Sequence, residues 1–298
     1  QERSQQVRLM AKIYQQAERV LVWLGEETED VKSSFDTIRN AWSVFPTKDL
    51  KMYKEPNIQQ EVADYIIKLG REGKPTLYDN DWRPLVSLLR RPWFQRKWVV
   101  QEIAHAQQAV LICGNLSQDW AELADLLYCI ESSGFVASFS TALVTNGAPE
   151  PCLALLNLMT MSYLYRRNLE NGSGLPLHEL LLGTRDFHCL DPRDHVIAIL
   201  SLAQDVNLAD NSIAPNYEVG VEEYFEKISI WSLVKQESLA LLSLVSRSDK
   251  SSALLLPTWV PDFGHLGLSV PLTVGEDTHF CACGDFRNPG AYLSHDNK

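Results

Sequence analysis

The sequence predicts an α/β fold: a small, mainly parallel sheet flanked by helices over residues 1–115, followed by a mostly helical region over 116–298. Three observations predict it. Two continuous apolar runs, Val20-Leu21-Val22-Trp23-Leu24 and Ala109-Val110-Leu111-Ile112-Cys113, are each closed by a glycine. Such runs are the signature of strands buried on both faces, as in a parallel sheet. The segments between them carry helical periodicity, and beyond Gly114 helical patterns take over.

Taken in order, Val7, Met10, Ile13-Tyr14 and Ala17 keep the 3.6-residue period, which predicts an amphipathic helix over about 2–18. A helix running straight into a buried strand is half of a βαβ unit, so a preceding strand is expected outside this chain. The acidic stretch Glu26 to Asp30 introduces a helix over about 31–45, its carboxylates near the positive N-terminal end of the helix dipole. A second helix covers about 58–71 and is broken by Gly70 and Gly73-Lys74-Pro75. Asp81 is a candidate cap for a short helix over 82–89. After Gly114, helices are expected over 120–132, 151–168 and 177–184, with loops at 133–150 and 168–174. Asp191-Pro192-Arg193-Asp194 places Asp at an N-cap and Pro at the first helical position, ahead of 196–202. Arg193 there either serves that cap or reaches from the helical part to the sheet. A helix follows over 221–235. Residues 238–245 suit either helix or strand, 254–263 are extended between prolines, and the C-terminal tail is poorly specified.

Residues 93–102 are the most informative stretch. Pro92 suits the first position of a helix, and on a helix Phe94, Trp98, Glu102 and Ala106 share one face. That face is aromatic yet carries a carboxylate. An ionised Glu102 placed there must be paired, protonated or aimed into a cleft, because burying it bare is costly.

Composition bounds the function. The 298-residue chain, 45% hydrophobic and 22% charged, can bury a real core in one or two domains. Its net charge of −11 argues against nucleic acid or an anionic membrane as the main partner. The basic-aromatic cluster of Arg90, Arg91, Arg96 and Lys97 with Trp93, Phe94 and Trp98 is the local exception. No apolar run reaches the length of a membrane span. Cys113, Cys129, Cys152, Cys189, Cys281 and Cys283 lack paired Cys-x-x-Cys motifs and read as reduced thiols of a cytoplasmic protein. His279, Cys281 and Cys283 lack a fourth ligand at finger spacing, so no metal and no cofactor is expected. No phosphate-binding glycine loop, serine-hydrolase elbow or zinc-protease motif occurs.

Arg91-Pro92-Trp93-Phe94 followed by Arg96-Lys97-Trp98-Val99-Val100-Gln101-Glu102 resembles the end of the HET (heterokaryon incompatibility) domain of filamentous fungi. The opening Glu2-Arg3-Ser4-Gln5-Gln6-Val7 and Val20-Leu21-Val22-Trp23-Leu24-Gly25 agree with it. Asp191-Pro192-Arg193-Asp194 and Leu256-Pro257-Thr258-Trp259-Val260-Pro261-Asp262 look like motifs that follow the domain. The family's domain normally opens with Ser-Tyr-x-Trp-Gly and Trp-x-Asp-x-x-Cys-Ile-Asn-Gln blocks, and neither occurs here. The resemblance therefore implies a HET domain, residues 1–115, whose first strands are missing, joined to a helical associated region.

The resemblance implies fungal self/non-self recognition ending in growth arrest or programmed cell death, a form of innate immunity, through protein partners or self-association. By fold-level analogy HET domains are TIR-like, and some TIR domains hydrolyse NAD with a Glu. A carboxylate serves that cleavage by stabilising oxocarbenium-like charge on the ribose. On this alternative Glu102 is the catalytic carboxylate and Gln101 supports it. Trp98, Arg96, Arg91 and Trp23 are then the candidate ligand-binding residues, and NAD or a related nucleotide is the substrate. On the other reading Glu102 is structural, ion-paired with an Arg such as Arg96 or Arg91 or accepting backbone N–H groups from a loop, and the tryptophans belong to the core.

Overall fold

The computed structural model describes residues 2–43, 45, 49–51, 57–74, 76, 82–134, 151–172, 174–245 and 254–266. They form two compact units, residues 14–172 and residues 1–13 with 173–298, and the boundary falls inside the first helix. That helix, α1 (Glu2–Gln16), follows the predicted span.

The 14–172 unit holds a mixed three-stranded sheet rather than a mainly parallel one. Strand β1 (Val20–Trp23) pairs in parallel with β2 (Ala109–Cys113), with Val20 opposite Ala109 and Trp23 opposite Ile112. Strand β3 (Leu116–Asp119) pairs antiparallel with β2, with Cys113 opposite Leu116. This third strand was not expected, and a two-residue Gly114-Asn115 turn creates it. Gly114 has φ +54°, and a Cβ there would lie 2.6 Å from Glu27 Cβ, so only glycine fits.

The expectation that β1 is buried on both faces fails. Val20 and Val22 are buried, but Leu21 is 63% and Trp23 56% exposed. Burial therefore alternates along a run that is apolar throughout, and hydrophobicity alone cannot show that alternation. On the covered face, Val20, Val22, Ala109, Leu111 and Cys113 pack beneath helices.

Those helices are α2 (Glu29–Ser43), α3 (Ile58–Arg71), α4 (Arg83–Leu89), α5 (Val99–Ala104), α6 (Trp120–Ser132) and α7 (Pro151–Asn171). Helix α3 ends where predicted, as Lys74 N–H returns to the Leu69 carbonyl at 2.9 Å. Helix α4 starts after Trp82, which makes no side-chain cap, and the predicted cap Asp81 lies outside the described residues. Helix α6 starts where Asp119 Oδ1 accepts the Ala121 N–H at 2.8 Å. Helix α7 runs on through Asn171, so the loop expected from 168 begins later. Phe35, Ile38, Leu85, Leu88, Val99, Val100, Ile103 and Leu158 fill the interior between these helices.

The other unit contains α8 (Leu177–Gly183), α9 (Asp194–Ile197) and α10 (Val221–Val234) around Phe187, Ile199, Phe225 and Phe263. Leu175 bridges Ala203, and a Cβ on Gly174 would fall 2.0 Å from the Leu202 carbonyl oxygen, so the backbones meet only over glycine. The helix expected over 196–202 breaks into α9 and a 3₁₀ turn at Leu200–Leu202. Residues Ala240–Leu244 form another 3₁₀ turn, neither α-helix nor strand. Asp191 Oδ1 accepts the Arg193 N–H at 3.1 Å, close to its predicted capping duty. Arg193 donates to Asp191 and to the carbonyls of Tyr217 and Val219, all in its own unit.

Candidate functional site

The stretch around Glu102 is two pieces, not one helix. Arg91 is extended (φ −62°, ψ 138°), as expected before proline, and Pro92–Gln95 make a 3₁₀ turn. Arg96 is extended again (φ −79°, ψ 132°), and α5 begins three residues later at Val99. The single aromatic face is therefore not continuous. Phe94 and Ala106 are fully buried, while Trp98 and Glu102 are half-buried.

Each side of this break positions a group on Glu102. The Trp93 side chain, on the 3₁₀ turn, hydrogen-bonds the Glu102 carboxylate, and so does the Tyr14 hydroxyl from α1. Both partners are donors in this pairing, since the carboxylate can only accept. Arg96 adds an attractive charge. The Trp93 ring is itself fixed by edge contacts to Phe94 (5.1 Å) and Trp120 (6.0 Å). Asn157 of α7 donates to the Phe94 carbonyl at 3.4 Å and anchors the turn.

Electrostatics follow from this geometry. Burial pushes the Glu102 carboxyl above its ordinary value, opposed by Arg96 and by the hydrogen bonds from Trp93 and Tyr14. Burial, then the Glu102 charge and hydrogen bond, push the Tyr14 phenol up to about 12, so it stays a neutral donor. At the end of α5, burial pushes His105 down to about 4, and its Nδ1 lies 3.2 Å from Gln15 Nε2.

The other candidates are dispersed. Gln101 is buried on α5 at 2% exposure. Arg96 is exposed and near Glu102. Arg91 points elsewhere: its guanidinium donates to the carbonyls of Leu24 and Glu26 and to Thr28 Oγ1, holding the turn after β1. That brings it to the residue after Trp23, but not to Glu102. Lys97 is 1% exposed, so the predicted basic-aromatic cluster is not a continuous surface patch. A cleft lies between α6 and α7, and none of Glu102, Gln101, Trp98, Arg96, Arg91 or Trp23 lines it.

Sequence reasoning missed Tyr14, Trp93 and His105 as neighbours of this site. It also missed a charge network in the second unit. Arg3 donates to Asp191 and Asp194, both at 3.2 Å, and lies 3.7 Å over the Tyr217 ring. Tyr217 donates to Asp194 at 2.5 Å. The repeated acids of Asp191-Pro192-Arg193-Asp194 carried that signal, but their distant partners were not readable. Among the described residues no cluster of three metal-ligating side chains occurs and no helix is long and apolar enough to cross a membrane. His279, Cys281 and Cys283 lie outside those residues.

Residues 1–102 match the HET (heterokaryon incompatibility protein) family. The HET match thus closes on Glu102 itself and takes in α1, β1 and the Trp93 turn. The chain is also 26% identical over 329 aligned residues to heterokaryon incompatibility protein 6, OR allele, of Neurospora crassa. That alignment covers 97% of this chain and 46% of the relative, so the chain spans about half the relative's length. No solved structure matches.

Proposed function

We propose that this chain acts in fungal self/non-self incompatibility as a protein-interaction module whose engagement leads to growth arrest or cell death. The HET match over 1–102, with the Neurospora incompatibility relative, carries this reading. The surroundings of Glu102 support the interaction role over an enzymatic one. Its carboxylate is occupied by Tyr14 and Trp93, and it does not line the α6–α7 cleft. Reduced thiols at Cys113, Cys129 and Cys189 suit a reducing cytoplasm, where we place the protein. The test is inducible expression of the full-length protein in a filamentous host, scored for hyphal growth and viability. Arrest is expected, and undisturbed growth at high expression overturns the proposal.

One observation favours a second, enzymatic reading. A half-buried carboxylate raised by burial and hydrogen-bonded to a phenol is the type of group that active sites use. On that reading Glu102 stabilises charge on the ribose of NAD, Gln101 supports it, and the protein resembles TIR-type NAD glycohydrolases. Incubation of the purified protein with NAD, followed by chromatography for released nicotinamide, tests it. Nicotinamide release that the Glu102→Gln variant loses would establish it, and none above buffer rejects it.

A further inference from the structure

The α6–α7 cleft is lined by groups whose polar capacity is unevenly spent. Arg166 is committed: it is ion-paired with Asp125 and with Glu170 (2.8 Å), and it stacks 4.1 Å over the Tyr128 ring. Arg167 donates to the Tyr163 hydroxyl at 3.1 Å. Two lining groups are left with capacity. Ser162 is 3% exposed, and among the described residues its buried Oγ has no hydrogen-bond partner. An unmet buried hydroxyl is costly, which makes it a marker of something absent from the site. Glu131 is the other, exposed along the cleft on the last turn of α6. Crowding by the protein raises its carboxyl.

The charge and the walls then define a ligand. Counting Asp125 behind Arg166, three carboxylates stand against two guanidiniums among the described residues, one negative charge in excess. Leu127 and Met159 add apolar wall, and Tyr163 adds an aromatic one. We propose that this cleft binds an alkylammonium group, with the ammonium donating to the Glu131 carboxylate and to Ser162 Oγ while its methylenes lie on Leu127 and Met159. An ammonium has three donors and no acceptor, which suits one carboxylate and one hydroxyl oxygen. Tyrosine faces also attract cations. Both a free aliphatic amine and the side chain of a lysine in a partner protein present this chemistry. The inference does not depend on the incompatibility reading.

The test is a ¹H–¹⁵N NMR titration of the protein with n-butylammonium and, separately, with Nα-acetyl-lysine methylamide. Saturable shifts confined to α6 and α7 are expected from at least one probe. Tighter binding of the lysine derivative identifies a peptide side chain as the ligand, and tighter binding of butylammonium identifies a free amine. Glu131→Gln should weaken binding about tenfold or more, the value of a charge-assisted hydrogen bond. Ser162→Ala supplies a second readout: it removes an unmet buried hydroxyl, so it should raise the melting temperature while weakening the ligand. The proposal is overturned if neither probe saturates, if Glu131→Gln binds as well as the parent, or if acetate binds in the cleft more tightly than either amine.

Discussion

The Tyr14 hydroxyl donates to the Glu102 carboxylate, joining the end of α1 to α5 across most of the HET-matching segment. The two ends of that segment therefore meet in one hydrogen bond. Trp93 completes the arrangement from the 3₁₀ turn, so Glu102 fastens a helix and a turn that are remote in sequence.

Replacing Glu102 separates the two functional readings. Glu102→Gln keeps an oxygen to accept from Tyr14 or Trp93 but introduces an NH₂ and removes the attraction to Arg96. A stability loss of about 1–2 kcal/mol is expected from the donor left facing that NH₂, the scale of one unmet buried hydrogen bond. Removal of a charge that burial disfavours acts against it. Urea denaturation measures it, and growth arrest should persist in proportion to the folded protein. An unchanged melting temperature with abolished arrest and abolished NAD loss would instead make Glu102 catalytic.

The buried His105 gives a pH signature of defined sign. Its folded pKa, about 4, lies below the ordinary 6.5, so the unfolded chain binds the proton more readily between those values. Its contribution is fully present above about pH 6.5 and is lost as pH falls toward 4. Roughly 2–4 kcal/mol should disappear across that window. His105→Asn, which leaves an acceptor near Gln15 Nε2, should flatten the slope in denaturation measured from pH 7 to pH 4. Glu102 titrates with the opposite sign. Burial raises its carboxyl, so its contribution is full below 4.5 and is lost as pH rises through the folded value.

In the second unit Arg3 is expected to act through shape as well as charge. Its guanidinium bonds Asp191 and Asp194 while lying flat on Tyr217. Arg3 is half exposed, but Asp194 is buried, so Arg3→Ala should cost about 1–2 kcal/mol. Arg3→Lys should recover less than half of this, because an ammonium has neither the planar fork nor the stacking face. Thermal denaturation of both variants decides it, and full rescue by lysine would show that charge alone matters.

What the sequence made legible depended on how local each cause was. Helix α3 was placed to the residue because the glycine-containing stretch ending it lies within one turn of the helix end. Helix α6 likewise fitted its expected span, and the Gly-closed runs did become β1 and β2. The β3 strand was overlooked because Leu116-Ser117-Gln118-Asp119 carries one apolar residue, and the buried residue is Gln118. Its readable signal was the Gly114-Asn115 dipeptide between two short extended segments. Glu102 stood out as a carboxylate needing a partner, and of the two arginines placed along one imagined helix Arg96 does act on it as an attractive charge. The extended backbone at Arg96 breaks that helix, Arg91 is spent on the turn after β1, and Tyr14 arrives from a remote helix. Long-range partners of this kind leave no trace in local periodicity.

Gly114 N–H donates to the Gly25 carbonyl at 3.0 Å, and Cys113 Sγ lies 3.0 Å from the Glu26 carbonyl, so the turns after β1 and β2 lock together. An alanine at 114 meets two obstacles. Its φ of +54° is left-handed and costs about 1 kcal/mol without glycine, and its Cβ would press on the Glu27 backbone nitrogen at 2.9 Å as well as on Glu27 Cβ. Relief requires the 26–28 segment to move, which pulls on the carbonyls that hold Arg91. Gly114→Ala should therefore cost about 2–4 kcal/mol in urea denaturation, more than the φ penalty alone. The 26–28 segment should also lose amide protection in hydrogen exchange. A loss of about 1 kcal/mol with unchanged exchange at 26–28 would show that the two turns are not mechanically coupled.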